Sequence, residues 1–184
     1  MNNKEYSPLF VSEQITKWLE YLRQLDYDNA EKCRNEIQIL LPFMNPDDRV
    51  ITYFNLVDHK HYLSVASKVT NIDQLNQPSS SDNALQFLYL DYLGQAAFHK
   101  KDYVKAIGYY SSAEQTLSTN CELEKAEFYK RVGTSYYRID QNVFALSYIK
   151  QAVEIFKKHP DYKEIELNCY ILIGGIYDDF SEPR

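Results

Sequence analysis

Histidines, cysteines and one pair of adjacent carboxylates are the residues of this chain with the clearest capacity for metal binding or nucleophilic chemistry. His59 and His61 stand two positions apart. On a helix that spacing turns them about 200° from one another, so they cannot share a metal ion. His99 and His159 are isolated near expected helix ends, where a dipole contact accounts for them. Cys33, Cys121 and Cys169 are odd in number and form no C-x-x-C pair, which predicts reduced, buried thiols. The sequence holds no phosphate-cradling glycine loop, no G-x-S-x-G elbow and no H-E-x-x-H. Self-contained hydrolase or nucleotide chemistry is therefore not expected, and neither is a metal or cofactor. What remains is Asp47-Asp48, directly after Asn45-Pro46. Two carboxylates there suit the positive end of a helix dipole, either as a solvated first turn or as a face for a basic patch on a partner; the two roles are compatible.

The elements that position these residues read as helices. From Ser12, a plausible N-cap, Ile15, Trp18, Leu19, Leu22 and Leu25 recur at helical spacing. Asp28 and Glu31 have the spacing of a capping box, followed by Ala30, Cys33, Ile37, Leu40 and Leu41, with Pro42 as a stop. Asn45, Pro46 and the two aspartates read as an N-cap, a first-turn proline and a dipole-matched start to a third helix reaching about Val69. Residues 1–70 are thus expected to form a three-helix bundle. In it Tyr53, Phe54 and Tyr62 read as core or inter-domain contacts or as part of a partner surface.

Residues 71–83, NIDQLNQPSSSDN, lack helical periodicity and predict a linker. Beyond it the chain repeats itself. Gly94, Ala106 and Ala113 are spaced like Gly133, Ala145 and Ala152, and Tyr110 corresponds to Ile149. Small residues of this kind let two helices of a hairpin approach, with Gly94 expected opposite Ala106. The pattern resembles the tetratricopeptide repeat. The second copy follows the first at a longer interval than the roughly 34-residue period, which places a longer loop near Ser118 to Asn120. A third copy opens at ELNCYILIGGIYDDF, with Gly174 at the glycine position and only its first helix expected within the chain, as a cap whose Ile171, Ile173, Ile176 and Phe180 lack a covering helix. Residues 84–184 are accordingly read as a tetratricopeptide array of two full repeats and the first helix of a third, and the fold class as all-α.

Composition narrows the partners. A formal charge of −6 and a pI near 5.2 argue against a phosphate-backbone ligand, which needs a basic stripe. No nucleic acid is expected. A protein surface that is basic or mixed in charge fits better, and 17 tyrosines supply amphipathic rings for helix faces. No run reaches the roughly 18 apolar residues that would span a bilayer, and MNNKEYSPLF has no apolar signal core. A soluble, cytoplasmic protein with no membrane contact is the expectation.

Glu36 through Leu63, EIQILLPFMNPDDRVITYFNLVDHKHYL, resembles the corresponding region of the Rap proteins, the response-regulator aspartate phosphatases of spore-forming Gram-positive bacteria. The order of bundle, linker and array also agrees, and HPDYKEIELNCYILIGGIYDDF, residues 159–180, resembles that family's third repeat opening. The resemblance implies that the bundle binds a response regulator in quorum-sensing or sporulation signalling, and that the array binds a reimported signalling peptide. It implies Asn45, Asp47, Asp48 and Tyr53 as partner-binding residues, and Asp178 and Asp179 as remnants of peptide recognition or simply the polar end of the last helix. Some members use a glutamine at the start of the third helix to position water on an aspartyl phosphate. Alignment on Tyr53-Phe54 and Lys60-His61 puts Asp48 there. An ionised carboxylate only accepts hydrogen bonds and repels a phosphoryl group, whereas a carboxamide both donates and accepts. The expectation is a non-catalytic protein that sequesters a response regulator, with aspartyl-phosphate hydrolysis as the alternative. Family members are about twice as long, so peptide binding is expected to be weak.

Overall fold

In the computed structural model, residues 5–67, 69–70, 75–117 and 121–181 are described. They contain eight α-helices: α1 Pro8–Arg23, α2 Tyr27–Leu40, α3 Asp48–Ala66, α4 Asn83–His99, α5 Tyr103–Gln115, α6 Glu122–Tyr137, α7 Asn142–Phe156 and α8 Lys163–Ser181. The one extended pairing among the described residues is an isolated bridge between Tyr6 and Met44. The fold is all-α. It divides into two units, residues 1–79 and 80–184. Of the expected linker, 71–74 lie outside the described residues, as does the expected loop at 118–120.

In the first unit, each helix starts where a side chain captures a first-turn amide, and all three starts differ from expectation. Helix α1 begins four residues before Ser12. Ser7 is the cap, its Oγ accepting from Phe10 N at 3.2 Å, and Pro8 opens the helix without needing an amide. Ser12 instead donates back to Leu9 O at 2.9 Å. Helix α2 is capped by Asp26, which accepts from Asn29 N, and not by Asp28; Glu31 is left to reach across to α3. Helix α3 is capped by Asp47, accepting from Val50 N at 3.0 Å, two residues after the expected Asn45. It ends at Ala66, three residues before Val69, where Ser67 turns left-handed. The core of the unit is the stripe Val11, Ile15, Trp18, Leu19 and Leu22 of α1 with Ala30, Cys33 and Ile37 of α2 and Phe54 and Val57 of α3, all buried.

The second unit is two helical hairpins followed by α8. Gly94, Gly133 and Gly174 are each the twelfth residue of their helix, counting from Asn83, Glu122 and Lys163. Space at the first two is taken by the next helix, in a way the small-residue pattern did not anticipate. A Cβ at Gly94 would meet the ring of Tyr110 first, 2.6 Å from Cδ1, so the ring and not Ala106 fills the notch. A Cβ at Gly133 would lie 2.6 Å from Cγ1 of Ile149 and 3.0 Å from the carbonyl oxygen of Ala145. Gly174 meets nothing within 4 Å. On α8, Ile176 is fully buried, contrary to its expected place on the uncovered face. That face presents Leu167, Tyr170, Ile171 and Tyr177, at spacings of three, one and six residues, along with Phe180.

The hairpins α1–α2, α4–α5 and α6–α7 share one turn. A non-glycine residue with positive φ, Leu25 (60°), Lys101 (63°) or Asp140 (58°), immediately precedes the helix cap. In each, the amide of the cap residue reaches back five positions to a carbonyl at 3.0 Å: Asp26 to Tyr21, Asp102 to Ala97, Gln141 to Tyr136. This is the closure of a Schellman motif. A fully buried alanine follows each cap by four residues, at Ala30, Ala106 and Ala145. The α1–α2 hairpin departs from the other two at one point: eight residues before the cap it carries Trp18 where they carry Gly94 and Gly133.

Candidate functional site

The candidate site is the start of α3. A parallel bridge positions it: Tyr6 N donates to Phe43 O at 2.9 Å and Asn45 N donates to Tyr6 O at 3.1 Å. Met44 is extended in that pairing, and the Asn45 side chain that follows it is exposed. Half-buried Asp47 is committed to its capping bond, while Asp48, in the first turn, points its carboxylate to solvent. Tyr53 is half-buried and its hydroxyl lies 3.3 Å from Thr16 Oγ1 of α1, which makes it a link between helices as well as a surface residue. Phe54 is core and packs its ring at a tilt against Trp18, centroids 5.7 Å apart. Tyr62 is half-buried beneath the Arg34 guanidinium, which also donates to its hydroxyl at 2.8 Å.

Two aromatic neighbours were not singled out in the sequence. Phe10 stacks on Tyr6 at 5.7 Å, Phe43 flanks the same residue through its carbonyl, and both expose much of their rings. Phe10 lies off the stripe that α1 buries, and that mismatch was the available signal. The start of α3 therefore offers one free carboxylate, one polar amide side chain and an aromatic margin. Such a surface can dock a protein.

Elsewhere, His61 is a core residue bonded on both ring nitrogens, and His59 bonds Thr70. Among the described residues no three His, Cys, Asp or Glu side chains gather as a metal would require. Cys33 and Cys169 are buried free thiols, whereas Cys121, just before α6, is only half-buried. Burial pushes the Cys169 thiol up to about 11, helped by Glu166 against Lys130. Asp178, exposed, and Asp179, half-buried, sit in the last turn of α8.

The array also contains a charge pair that sequence spacing could not suggest. Asp91 of α4 receives two hydrogen bonds from Arg131 of α6, at 3.0 Å from Nε and 2.9 Å from Nη2, with the aspartate 2% exposed. Gln95 donates to the same carboxylate at 2.8 Å. Burial alone would lower the Arg131 pKa, but Asp91, Glu127 and Tyr110 together raise it, so the guanidinium stays charged. Burial raises the Tyr110 phenol far above its usual range, Asp91 adding to the effect and Arg131 opposing it.

A three-helix unit with an acidic helix start, followed by glycine-notched hairpins, defines a helical protein of the tetratricopeptide type. Residues 7–65, the span of that three-helix unit, match the family described as response regulator aspartate phosphatase H, N terminal. Response regulator aspartate phosphatase H of Bacillus subtilis (strain 168) is 29% identical over 93% of this chain and 49% of its own length. Regulatory protein RapC of the same organism is 31% identical over 89% of this chain and 47% of its own. The crystal structure of a Rap protein complexed with competence and sporulation factor superposes with a TM-score of 0.84 over 94% of this chain and 50% of that one, at 24% identity, a likeness of fold. The chain belongs to the Rap family. It spans about half the length of the curated relatives it matches.

Proposed function

We propose that this chain is a non-catalytic regulator that binds a response regulator through the start of α3 and acts by occlusion. The observation that carries the reading is Asp48: it is exposed in the first turn of α3, within the residues 7–65 that match the family's N-terminal region, at the position the resemblance assigns to a catalytic glutamine. A carboxylate there attracts a basic partner surface and disfavours attack on a phosphoryl group. Asn45, Asp47 and Tyr53 complete the surface, with Phe10 and Phe43 as its apolar margin. The aspartyl-phosphate phosphatase reading is favoured by one observation, the name and family of the relatives.

A regulatory peptide is the second proposed partner, since the Rap conjugation gene regulator of plasmid pLS20, 32% identical with a TM-score of 0.54, is a structure in complex with the Phr* peptide. Asp178 and Asp179 are the residues proposed to meet it. Calorimetric titration against a panel of purified response regulators tests the main reading. Saturable one-to-one binding to a regulator that weakens in Asp48→Lys is expected; binding to none of them, or equal binding by the variant, contradicts it.

A further inference from the structure

We propose that Trp18, His61 and Glu31 form a pH-sensitive latch across the three-helix unit, in which a proton taken up at His61 Nδ1 breaks the bond between α1 and α3. The three residues come from three helices. Trp18 Nε1 of α1 donates to His61 Nδ1 of α3 at 3.1 Å, and His61 Nε2 lies 2.8 Å from Glu31 Oε2 of α2. Because the indole can only donate, Nδ1 must be the acceptor. The imidazole is then neutral, with its proton on Nε2 directed at the carboxylate. Trp18 is fully buried and the His61 side chain is 2% exposed, so neither has water as a substitute partner.

The hairpin comparison explains why this polar chain lies in the core. At the site where the repeat hairpins carry glycine and admit the next helix, α1 carries the bulk of Trp18. Its ring fills the space but brings an N–H that burial obliges to find an acceptor. His61 supplies one. Protonation at Nδ1 sets two donors against each other at hydrogen-bond distance, while the Nε2 contact to Glu31 persists as an ion pair. The Trp18–His61 hydrogen bond between α1 and α3 is lost and the His61–Glu31 contact between α3 and α2 is kept.

The charges around the imidazole are few. From α1 the facing group is the indole N–H, which does not titrate; from α2 they are Glu31 and Arg34; from α3 itself, Asp58 and Tyr62. Arg34 is already engaged by Asp58 at 2.5 Å and by the Tyr62 hydroxyl. Burial lowers the His61 pKa from its ordinary 6.5; Glu31, with Asp58, opposes this and Arg34 assists it, for a net lowering. The unfolded chain therefore binds the proton more readily. The stabilisation from neutral His61 is complete above the unfolded value and is lost as pH falls from there through the folded one.

Trp18 is the single tryptophan of the chain, so its emission reads the latch directly. On acidification of the full chain from about pH 7.5 to about pH 5, the emission is expected to be quenched and red-shifted, with a midpoint below the ordinary histidine value. His61→Gln, which accepts and donates without titrating, is expected to abolish that transition, and His59→Gln to retain it. Unchanged wild-type emission across the range, or the same transition in His61→Gln, overturns the proposal. Long-range proton–nitrogen NMR of the wild type gives a test that does not depend on the variant folding. The Nε2–H tautomer at neutral pH is expected, and an Nδ1–H tautomer, or titration of His61 at or above the ordinary value, overturns the latch.

Discussion

Asp47 and Asp48 are neighbours in sequence with separate tasks. Asp47 Oδ1 closes the first turn of α3, and its loss leaves the Val50 amide without that acceptor. Asp47→Ala should lower the stability of the three-helix unit by about 1 kcal/mol in urea unfolding, and Asp47→Asn should largely preserve it. Asp48 makes no side-chain cap and faces solvent, so its charge is available to a partner. Charge reversal at such an exposed position acts on encounter more than on dissociation. Asp48→Lys should slow association with a response regulator several-fold at low salt and less at high salt, with a small change in off-rate, as surface plasmon resonance would show. The acidic start of this helix was legible in the sequence, but which residue caps it was not. Asn45, Asp47 and Asp48 are all suitable caps; the Tyr6–Met44 bridge takes in the Asn45 backbone N–H, and the helix opens beyond it on the Asp47 carboxylate. Likewise nothing local pairs Trp18 with His61, 43 positions away.

At the scale of elements, glycine stands where a notch needs it and is missing where a turn would favour it. Gly94 sits where any Cβ strikes the Tyr110 ring. Gly94→Ala should therefore destabilise the array by about 1 to 3 kcal/mol, the usual cost of overpacking. Gly174 occupies the same register with open space before it, and Gly174→Ala should gain up to about 1 kcal/mol from helix propensity. Parallel thermal melts of the two variants would expose any error in the hairpin register. In the turns, Leu25 and Lys101 hold left-handed backbone without being glycine, and both are exposed. Replacing either by glycine relieves about 1 kcal/mol of backbone cost and should raise the urea midpoint. Periodicity revealed the helices because their buried faces are regular. It could not reveal that Tyr110 fills the notch at Gly94, since side-chain direction across a hairpin is decided by packing.

At the scale of the whole molecule, the repeats are tied by contacts far apart in sequence. Asp91 and Arg131 belong to different hairpins, and breaking their pair from the aspartate side leaves a guanidinium without its bidentate partner. Asp91→Ala should cost about 3 to 5 kcal/mol in unfolding of the array, while Asp91→Asn, keeping one acceptor, should cost less. Forty positions separate the two residues, so the sequence offers their types but not their meeting. The family, by contrast, was legible from the Glu36–Leu63 stretch and from the glycine and alanine spacing of the array. The central claim is that the chain engages a response regulator without hydrolysing its aspartyl phosphate, and the most direct measurement is the lifetime of that phosphate. With a labelled, phosphorylated regulator that the chain binds, saturating amounts of the chain should leave the rate of label loss unchanged. Accelerated loss of label would contradict the account and assign the protein to the catalytic members of its family.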